Sequence, residues 1–324
     1  MIQGMSFISV LFALLLEQVR PMGRGNAIHA AARSWVRFCS RTLDAGKPLH
    51  GWLAWSLAVL GPSVLAVLIY GALDLWVGWP LSLLWSALVL YASLGFRQFS
   101  FHFTAIRNAL ANDDDTLART LLAQWQHIDT QTWSHNEMIG RVIELSALAA
   151  HRHVFGVLAW FSVLAALGLG PTGAVLYRLA EFVARYWQHK SQALQQPVSQ
   201  ALQSNAQAAW QWIDTVPARL TVLGFAVVGN FEEAIDGWRR YAAQPGANND
   251  GLLLAATSGA INIQLAAVNV VSSAATDGSA SAHGFNLRPP PELAHLAILV
   301  GLVWRAVVMW VVLLALLTLA RLIA

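Results

Sequence analysis

The sequence predicts an all-α, polytopic integral membrane protein with about four transmembrane helices and additional re-entrant or packed amphipathic helices. The first observation is composition, since 56% of the 324 residues are hydrophobic and only 11% are charged. A soluble domain carries roughly 25% charged residues, so this chain has too little polar surface to cover itself in water. The second observation is that several charge-free apolar runs reach the roughly 20 residues that a helix needs to cross a bilayer. Together they disfavour a soluble enzyme.

Cysteine content and charge exclude two further classes of protein. The lone Cys39 cannot form an internal disulfide, which excludes a disulfide-stabilised scaffold. The net charge of +3 comes without a dense run of Lys and Arg interleaved with aromatic residues, which argues against nucleic acid as a partner. We therefore expect the lipid bilayer to be the main partner, with other membrane proteins as further candidates.

Four apolar segments are predicted to span the membrane, near residues 53–73, 75–96, 154–177 and 294–320. Asp74 lies between the first two, so they predict a helical hairpin, and Pro80 fits the first turn of its second helix. The stretch GLGPTGA at 168–174 predicts a break in the helix at the end of the third segment.

Two apolar features have alternative interpretations. Arg305 interrupts the last segment, where an arginine is either a site residue facing protein or, if the membrane segment begins near Trp304, an anchor at the headgroups. Met5–Leu16 lacks the basic start and the cleavage pattern of a signal peptide, so we expect it to be retained. At about a dozen residues it is short for a span, and a re-entrant, interfacial or packed helix is an equal alternative.

Basic residues predict the orientation of the chain. Six of them, against the single acid Asp44, lie between Arg20 and Lys47, and the positive-inside bias predicts a cytoplasmic segment there. We expect a multi-pass protein of a bacterial inner membrane. Polar loops are predicted at 97–153 and 178–292, and the side of the second depends on whether the third apolar segment crosses fully.

Local motifs predict little catalytic chemistry. Asp113, Asp114 and Asp115 could hold Mg²⁺ with a nucleotide, but their place before TLARTLLAQW favours the N-terminal cap of a helix. His151 and His153 stand two residues apart, a spacing that does not place both on one face of a helix. Walker-type phosphate loops, GxSxG, CxxC and HExxH do not occur in the sequence. No metal site is predicted.

Four stretches, in order along the chain, carry a resemblance to a known family. They are SLGFR at 93–97 followed by 109–119, HVFGVLAWF and GLGPTGAVLYR within 153–178, VPARLT at 216–221, and NDG and AATSGAI within 249–261. The ordered set resembles the membrane family that includes the cobalamin-biosynthesis proteins CobD and CbiB and their relative AmpE. The resemblance implies a single membrane domain over residues 1–324.

The resemblance also implies an activity. Departures from the family pattern weaken that inference. The family's enzymes join an aminopropanol unit to a cobyric acid side chain by ATP-dependent amide ligation, which requires bound Mg-ATP and stabilised phosphoryl charge. Neutral side chains stand at most positions where these enzymes place acids and amides, and the N-terminal GDP and HPV motifs are missing. The residues found there are Ala149, Ala150 and His153, then Glu181, Phe182 and Ala184, then Gln211 and Trp212 with Asp214 nearer the proline.

Two functional hypotheses follow. The first is a diverged, AmpE-like sensor, regulator or accessory protein without ligase activity. The alternative is a working adenosylcobinamide-phosphate synthase, and only this alternative requires Mg-ATP and a corrinoid. If ligase activity survives, the predicted catalytic residues are Glu144, Glu181 and Asp214, and the predicted substrate- or phosphate-binding residues are Arg178, Arg219 and Asn249.

Overall fold

The computed structural model describes residues 2–19, 27–126, 130, 132–192, 198–266 and 288–323. Within those ranges the chain forms helices joined by turns and loops, without β-strands, so the predicted all-α class is confirmed. The helices are α1 (Ile2–Val19), α2 (Ala27–Leu43), α3 (Pro48–Trp76), α4 (Trp79–Ser93), α5 (Phe96–Ala111), α6 (Asp115–Gln126), α7 (His135–Ala150), a π-helical turn (His151–Phe155), α8 (Gly156–Ala166), α9 (Thr172–Gln192), α10 (Gln200–Val228), α11 (Phe231–Ala242), α12 (Asn249–Ala260) and α13 (Leu293–Ile323).

Three helical stretches in the described part of the chain are long and apolar enough to cross a membrane: Pro48–Trp76, His135–Ala166 and Leu293–Ala320. The first and last coincide with the predicted spans 53–73 and 294–320. The middle one differs from the predicted 154–177 at both ends. It begins earlier because α7, the π-helical turn and α8 follow one another without a break, and it ends earlier because a turn after Ala166 separates it from α9. Part of the predicted polar loop 97–153 therefore belongs to a long helix.

The helix predicted at 75–96 is shorter than expected. α4 has 15 residues, since Gly78 at φ +102° separates it from α3 and Pro80 lies in its first turn. At about 1.5 Å per residue, α4 is about 22 Å long, less than the roughly 30 Å of the hydrocarbon core. The hairpin itself is confirmed, and the Ser82 hydroxyl donates to the Asp74 carboxylate at 3.1 Å across its turn.

The chain forms two compact units. Unit 1 contains residues 1–95, 152–217 and 313–324, and unit 2 contains residues 96–151 and 218–312. The helix at 135–166, α10 and α13 each contribute residues to both units. A single membrane domain over 1–324 stays a prediction.

In unit 1, α8 and α9 pack closely through glycines. A Cβ on Gly173 would lie 2.0 Å from the Trp160 carbonyl oxygen, and one on Gly156 would lie 2.0 Å from the Tyr177 ring. The turn at residues 168–170 contains two glycines with positive φ, which other residues rarely adopt. The predicted break after the third apolar segment is confirmed, and it turns the chain back along α8.

Also in unit 1, α2 joins α3 through a short loop and packs against it. The Trp35 indole N–H donates to the Ala58 carbonyl at 3.3 Å. In the loop, the Asp44 carboxylate accepts hydrogen bonds from the backbone N–H groups of Ser199 at 2.9 Å and Gly46 at 3.2 Å. Burial alone would raise the pKa of Asp44, and these hydrogen bonds outweigh burial and lower the pKa. Residues 20–26 of the predicted basic segment lie outside the described residues.

The structure shows what surrounds Met5–Leu16 and Arg305, the two features with alternative interpretations. α1 contains the apolar stretch Met5–Leu16 and packs against α4, with the Ser9 hydroxyl 3.5 Å from the Leu83 carbonyl oxygen. Arg305 is exposed on α13 and donates to the carbonyl of Gly301 in its own helix at 3.2 Å. Whether α1 spans the membrane and what Arg305 contacts in a bilayer stay predictions.

In unit 2, α6 begins as the sequence predicts. The Asp114 carboxylate accepts hydrogen bonds from the Leu117 backbone N–H at 3.0 Å and from the Thr116 hydroxyl at 2.7 Å. The interpretation of this acidic run as an N-terminal cap is confirmed. Asp115 pairs with His135 at 2.7 Å, which joins the beginning of α6 to the beginning of α7.

α11 and α12 form a tight helical hairpin in unit 2. A Cβ on Gly237 would lie 2.6 Å from the Ala255 carbonyl oxygen, and one on Gly259 would lie 2.1 Å from the Glu233 carbonyl oxygen. The two backbones therefore touch without intervening side chains at both positions. Much of the predicted polar segment 178–292 forms such packed helices, while residues 267–287 lie outside the described residues.

Arg288 joins the chain before α13 to this hairpin, and replacing it with alanine is expected to destabilise unit 2 by about 1.5–3 kcal/mol. Its buried guanidinium donates to the Ser258 hydroxyl at 2.9 Å and to the Glu233 carboxylate at 2.8 Å. Hydrogen exchange of the α12 amides should become faster in Arg288→Ala and change less in Arg288→Lys, which retains a donor. Exchange at the wild-type rate in both variants would contradict the assigned role.

Candidate functional site

Two of the predicted site residues, Arg178 and Glu181, meet on α9 in unit 1. Arg178 Nη1 lies 2.6 Å from Glu181 Oε2, and Arg185 Nη1 lies 2.8 Å from Glu181 Oε1. Spacings of three and four residues place all three side chains on one face of the helix. Glu181 is only 3% exposed, whereas the side chains of Arg178 and Arg185 are 19% and 53% exposed, so a buried carboxylate pairs with guanidinium groups that reach toward the surface.

Further basic groups surround the Glu181 carboxylate. Arg152 and His153 lie within electrostatic reach of it, in addition to Arg178 and Arg185. Both belong to the π-helical turn between α7 and α8, and such turns occur frequently at functional sites. Three guanidinium groups around one carboxylate give this arginine cluster, formed by Arg152, Arg178 and Arg185 around Glu181, a net positive charge.

Asp214, the third predicted residue in unit 1, is held by Tyr177. The Tyr177 hydroxyl donates to Asp214 Oδ1 at 2.8 Å, and both side chains are buried. The Tyr177 ring also packs against Trp210 of α10, with centroids 5.1 Å apart. A carboxylate oriented in this way can serve as a proton acceptor.

The other three predicted residues, Glu144, Arg219 and Asn249, lie in unit 2. Glu144 is 1% exposed and pairs with Arg141 at 2.7 Å. Asn249 is the buried first residue of α12, and Arg219 follows Pro217 in α10. The six predicted residues are thus divided equally between the two units.

Sequence reasoning missed three residues of the group in unit 1. Arg185 had a signal, because it stands four residues after Glu181, the spacing of a helical ion pair. Tyr177 lies inside the YR motif but was not assigned a role. Arg152 had no comparable signal, since its proximity to Glu181 depends on how the π-helical turn packs against α9.

The chemistry of the arginine cluster suits phosphate groups. Guanidinium groups present paired N–H donors that match phosphate oxygens. Glu181 has both oxygens engaged with arginines, so it fits the role of holding them in place. Magnesium delivered with ATP takes most of its ligands from phosphates and water. Among the described residues, His, Cys, Asp and Glu side chains do not form a group of three that could hold a metal ion by themselves.

The fold and this site define a helical membrane protein with a net positive cluster of arginines around one buried carboxylate. The family model described as CobD/Cbib protein matches residues 10–289, most of the chain. The chain belongs to the CobD/CbiB family, as its four ordered stretches predict.

Curated relatives include three bacterial proteins, each named Cobalamin biosynthesis protein CobD. The protein from Stutzerimonas stutzeri is 28% identical over 322 residues, which are 95% of this chain and 96% of that protein. The one from Chromobacterium violaceum is 30% identical over 203 residues, 62% of this chain and 58% of that protein. The one from Leptospira interrogans is 27% identical over 199 residues, 60% of each. No solved structure matches the chain.

Proposed function

We propose that this protein acts in cobalamin biosynthesis as an adenosylcobinamide-phosphate synthase of a bacterial inner membrane. The observation that carries the proposal is its similarity, over 95% of this chain and 96% of the relative, to a protein named Cobalamin biosynthesis protein CobD. The reaction joins the amine of an aminopropanol unit to a carboxyl group of cobyric acid, with ATP as the co-substrate.

Amide ligation of this kind needs bound phosphates, an activated carboxyl group and an acceptor for the amine proton. Arg178 and Arg185 bind the phosphates of ATP and stabilise the charge that develops on the transferred phosphoryl group. Glu181 fixes both guanidinium groups. The carboxylate of cobyric acid takes the terminal phosphoryl group of ATP, which leaves as ADP. When the amine attacks this activated carboxyl group, phosphate leaves and Asp214, oriented by Tyr177, accepts the proton that the amine loses.

The three candidates in unit 2 have complementary chemistry. Arg219 suits a phosphate or a carboxylate of the corrinoid, and Asn249 offers both a donor and an acceptor for its amide groups. Glu144 is the second candidate for a proton acceptor, since its buried carboxylate pairs with Arg141.

An AmpE-like sensor, regulator or accessory protein without ligase activity is the second candidate function. It is favoured by the residues that stand where the family's enzymes have polar side chains. Ala150 is fully buried, Phe182 stacks on Tyr186 with centroids 5.6 Å apart, and Trp212 is 80% exposed. None of these three side chains can supply a carboxylate to magnesium or to an attacking amine.

Complementation distinguishes the two functions. The chain is expressed in a bacterial strain that lacks its own synthase and grows on a medium where new corrinoid must be made. We expect growth, with the amide product detected by mass spectrometry in cell extracts. Immunoblots of membranes establish that the protein is present. No growth and no product from a chain present in normal amounts would favour the AmpE-like function.

In the same assay, Arg178→Lys is expected to lower product formation by about 100-fold or more. Lysine keeps the positive charge but loses the paired donors that bind phosphate oxygens in fixed geometry. Arg107→Lys is the matched control, since Arg107 is exposed on α5 and donates to its neighbour Asn108 at 3.3 Å. Wild-type product formation by Arg178→Lys would contradict a role for Arg178 in phosphate binding.

A further inference from the structure

α9 runs antiparallel to α3 along most of that helix. At one end, a Cβ on Gly170 would lie 2.5 Å from the Tyr70 ring. At the other end, the charge of Lys190 acts on Asp44, in the loop that precedes α3. Because both helices advance by about 1.5 Å per residue, each residue of α9 has a defined level along α3.

These levels place the arginine cluster beside the central part of α3. Arg178 is eight residues beyond Gly170, so it lies about 12 Å along α3 from Tyr70, near Pro62. Pro62 is the midpoint of the 29 residues of α3. Arg185 lies further toward the N-terminal end of α3, near the level of Trp55. If α3 crosses the bilayer, the cluster begins at its midplane.

α2 carries a second row of basic side chains. Four basic residues recur every fourth position, which places them on one face of the helix. Three of them are exposed and His29 is half-buried. This basic stripe consists of His29, Arg33, Arg37 and Arg41.

The basic stripe leads toward the arginine cluster. Trp35 donates to Ala58 and its ring lies 3.6 Å from the position of a Cβ on Gly61, which fixes the level of α2 along α3. Because α2 and α3 are antiparallel across a short loop, Arg33 falls near the level of Pro62. Arg41 falls near the beginning of α3.

The stripe and the cluster belong to one electrostatic environment. Arg178 and Arg33 both act on the imidazole of His29, and Arg178 also acts, with Arg152, on Glu181. The Asp214 carboxylate is close to this environment as well, since Asp214, Glu181 and Arg152 all act on Tyr177. Positive charge at the depth of an apolar span is costly unless an anion or water compensates it.

We propose that Arg33, Arg152, Arg178 and Arg185 form a phosphate-binding site at the depth of the middle of α3, and that the basic stripe is its entry from the membrane surface. Guanidinium groups bind phosphate oxygens in pairs. Exposed arginines spaced about 6 Å apart along α2 offer successive contacts on the way. The phosphate belongs either to a soluble compound or to a lipid headgroup. For Arg178 and Arg185 the proposal rests on the proposed function, and because binding is measured without turnover, a failure of the site is distinguishable from a failure of ligase activity.

Binding is tested on the full-length protein in two settings. Isothermal titration in neutral detergent uses inorganic phosphate and pyrophosphate, and thermal unfolding in nanodiscs compares phosphatidylcholine alone with added phosphatidylglycerol. Arg33→Gln and Arg185→Gln should each weaken binding about tenfold, the effect of losing one hydrogen bond between charged groups. Arg107→Gln in unit 2 should leave it unchanged. Arg33 is exposed, so its variant is expected to fold even if Arg185→Gln does not.

The outcomes separate the two sources of phosphate. A heat of binding in neutral detergent that is smaller in both arginine variants than in the wild type supports a soluble phosphate compound. A lipid headgroup is supported if titration gives no heat of binding and phosphatidylglycerol raises the unfolding temperature in a way that depends on Arg33 and Arg185. Absence of both effects, or equal effects in the variants and in Arg107→Gln, would overturn the proposed site whatever the result of complementation.

The depth of the site has its own test. Spin labels are attached to Leu60→Cys and, for comparison, Leu49→Cys in a Cys39→Ser background, since both leucines are exposed on α3. A label at position 60 should collide mainly with oxygen, and one at position 49 mainly with a water-soluble nickel complex. Equal access of nickel to both positions would place the level of Arg178 outside the membrane and overturn the proposal.

Discussion

Replacing Gly173 with alanine is expected to prevent α8 and α9 from packing and to remove most of the folded protein. The new Cβ would lie 2.0 Å from the carbonyl oxygen and 2.4 Å from the carbonyl carbon of Trp160. These are backbone atoms, so no side-chain rotation relieves the overlap and the helices must separate. The expected loss exceeds about 3 kcal/mol, measured by thermal unfolding and by gel filtration of the detergent-purified protein.

Gly71→Ala is the matched control for this variant. No atom lies within 4 Å of a Cβ at position 71, so the substitution should leave stability unchanged or raise it by about 0.5–1 kcal/mol through helix propensity. If Gly173→Ala elutes and unfolds like the wild type, the close contact between α8 and α9 is wrong. That contact also matters for the site, since Trp160 in α8 donates to the Ile213 carbonyl at 2.9 Å, next to Asp214.

Replacing Glu181 with alanine is expected to cost about 1.5–3 kcal/mol of stability, since only the carboxylate is fully buried and Arg178 and Arg185 are 19% and 53% exposed. The variant leaves Arg178 and Arg185 in unit 1 without the carboxylate that both of them pair with. Removing one partner of a buried ion pair is more costly than the pair itself is worth, because the remaining charge loses its compensation. Thermal unfolding of the purified protein measures the loss, and added phosphate should restore part of it by replacing the carboxylate.

Asp236→Ala provides the comparison. Asp236 pairs with Arg240 at the same four-residue spacing on α11, but their side chains are 41% and 37% exposed. Water screens such a pair, and its loss should cost less than about 1 kcal/mol. Equal effects of Glu181→Ala and Asp236→Ala would mean that burial of the Glu181 carboxylate contributes nothing to the strength of its ion pairs.

Much of the fold could be predicted from local patterns. Charge-free runs predicted α3 and α13, the acidic run predicted the cap of α6, and GLGPTGA predicted the break before α9. The long helix from His135 was predicted to begin too late, because its first half contains charged residues such as Arg141 and Glu144. Those charges pair with each other at 2.7 Å, a contact that hydropathy alone cannot anticipate.

The site could be predicted only in part. Arg178, Glu181 and Asp214 come from matched stretches of sequence, and the structure places all three in unit 1. The basic stripe of α2 and Arg152 could not be connected to them, because their proximity depends on the register of α2, α3 and α9. Register between helices distant in sequence is set by contacts such as Trp35 with Ala58, and no local periodicity encodes it.

The short α4 beside the long α3 creates a mismatch with any uniform bilayer. With 29 residues α3 is about 43 Å long, whereas the 15 residues of α4 extend about 22 Å. If both helices of the hairpin cross the bilayer, the lipids next to α4 are compressed or the hairpin tilts, and each ångström of mismatch costs a fraction of a kcal/mol. The stability of the protein should therefore vary with the acyl-chain length of the surrounding lipids, which makes membrane thickness a property to which this protein responds.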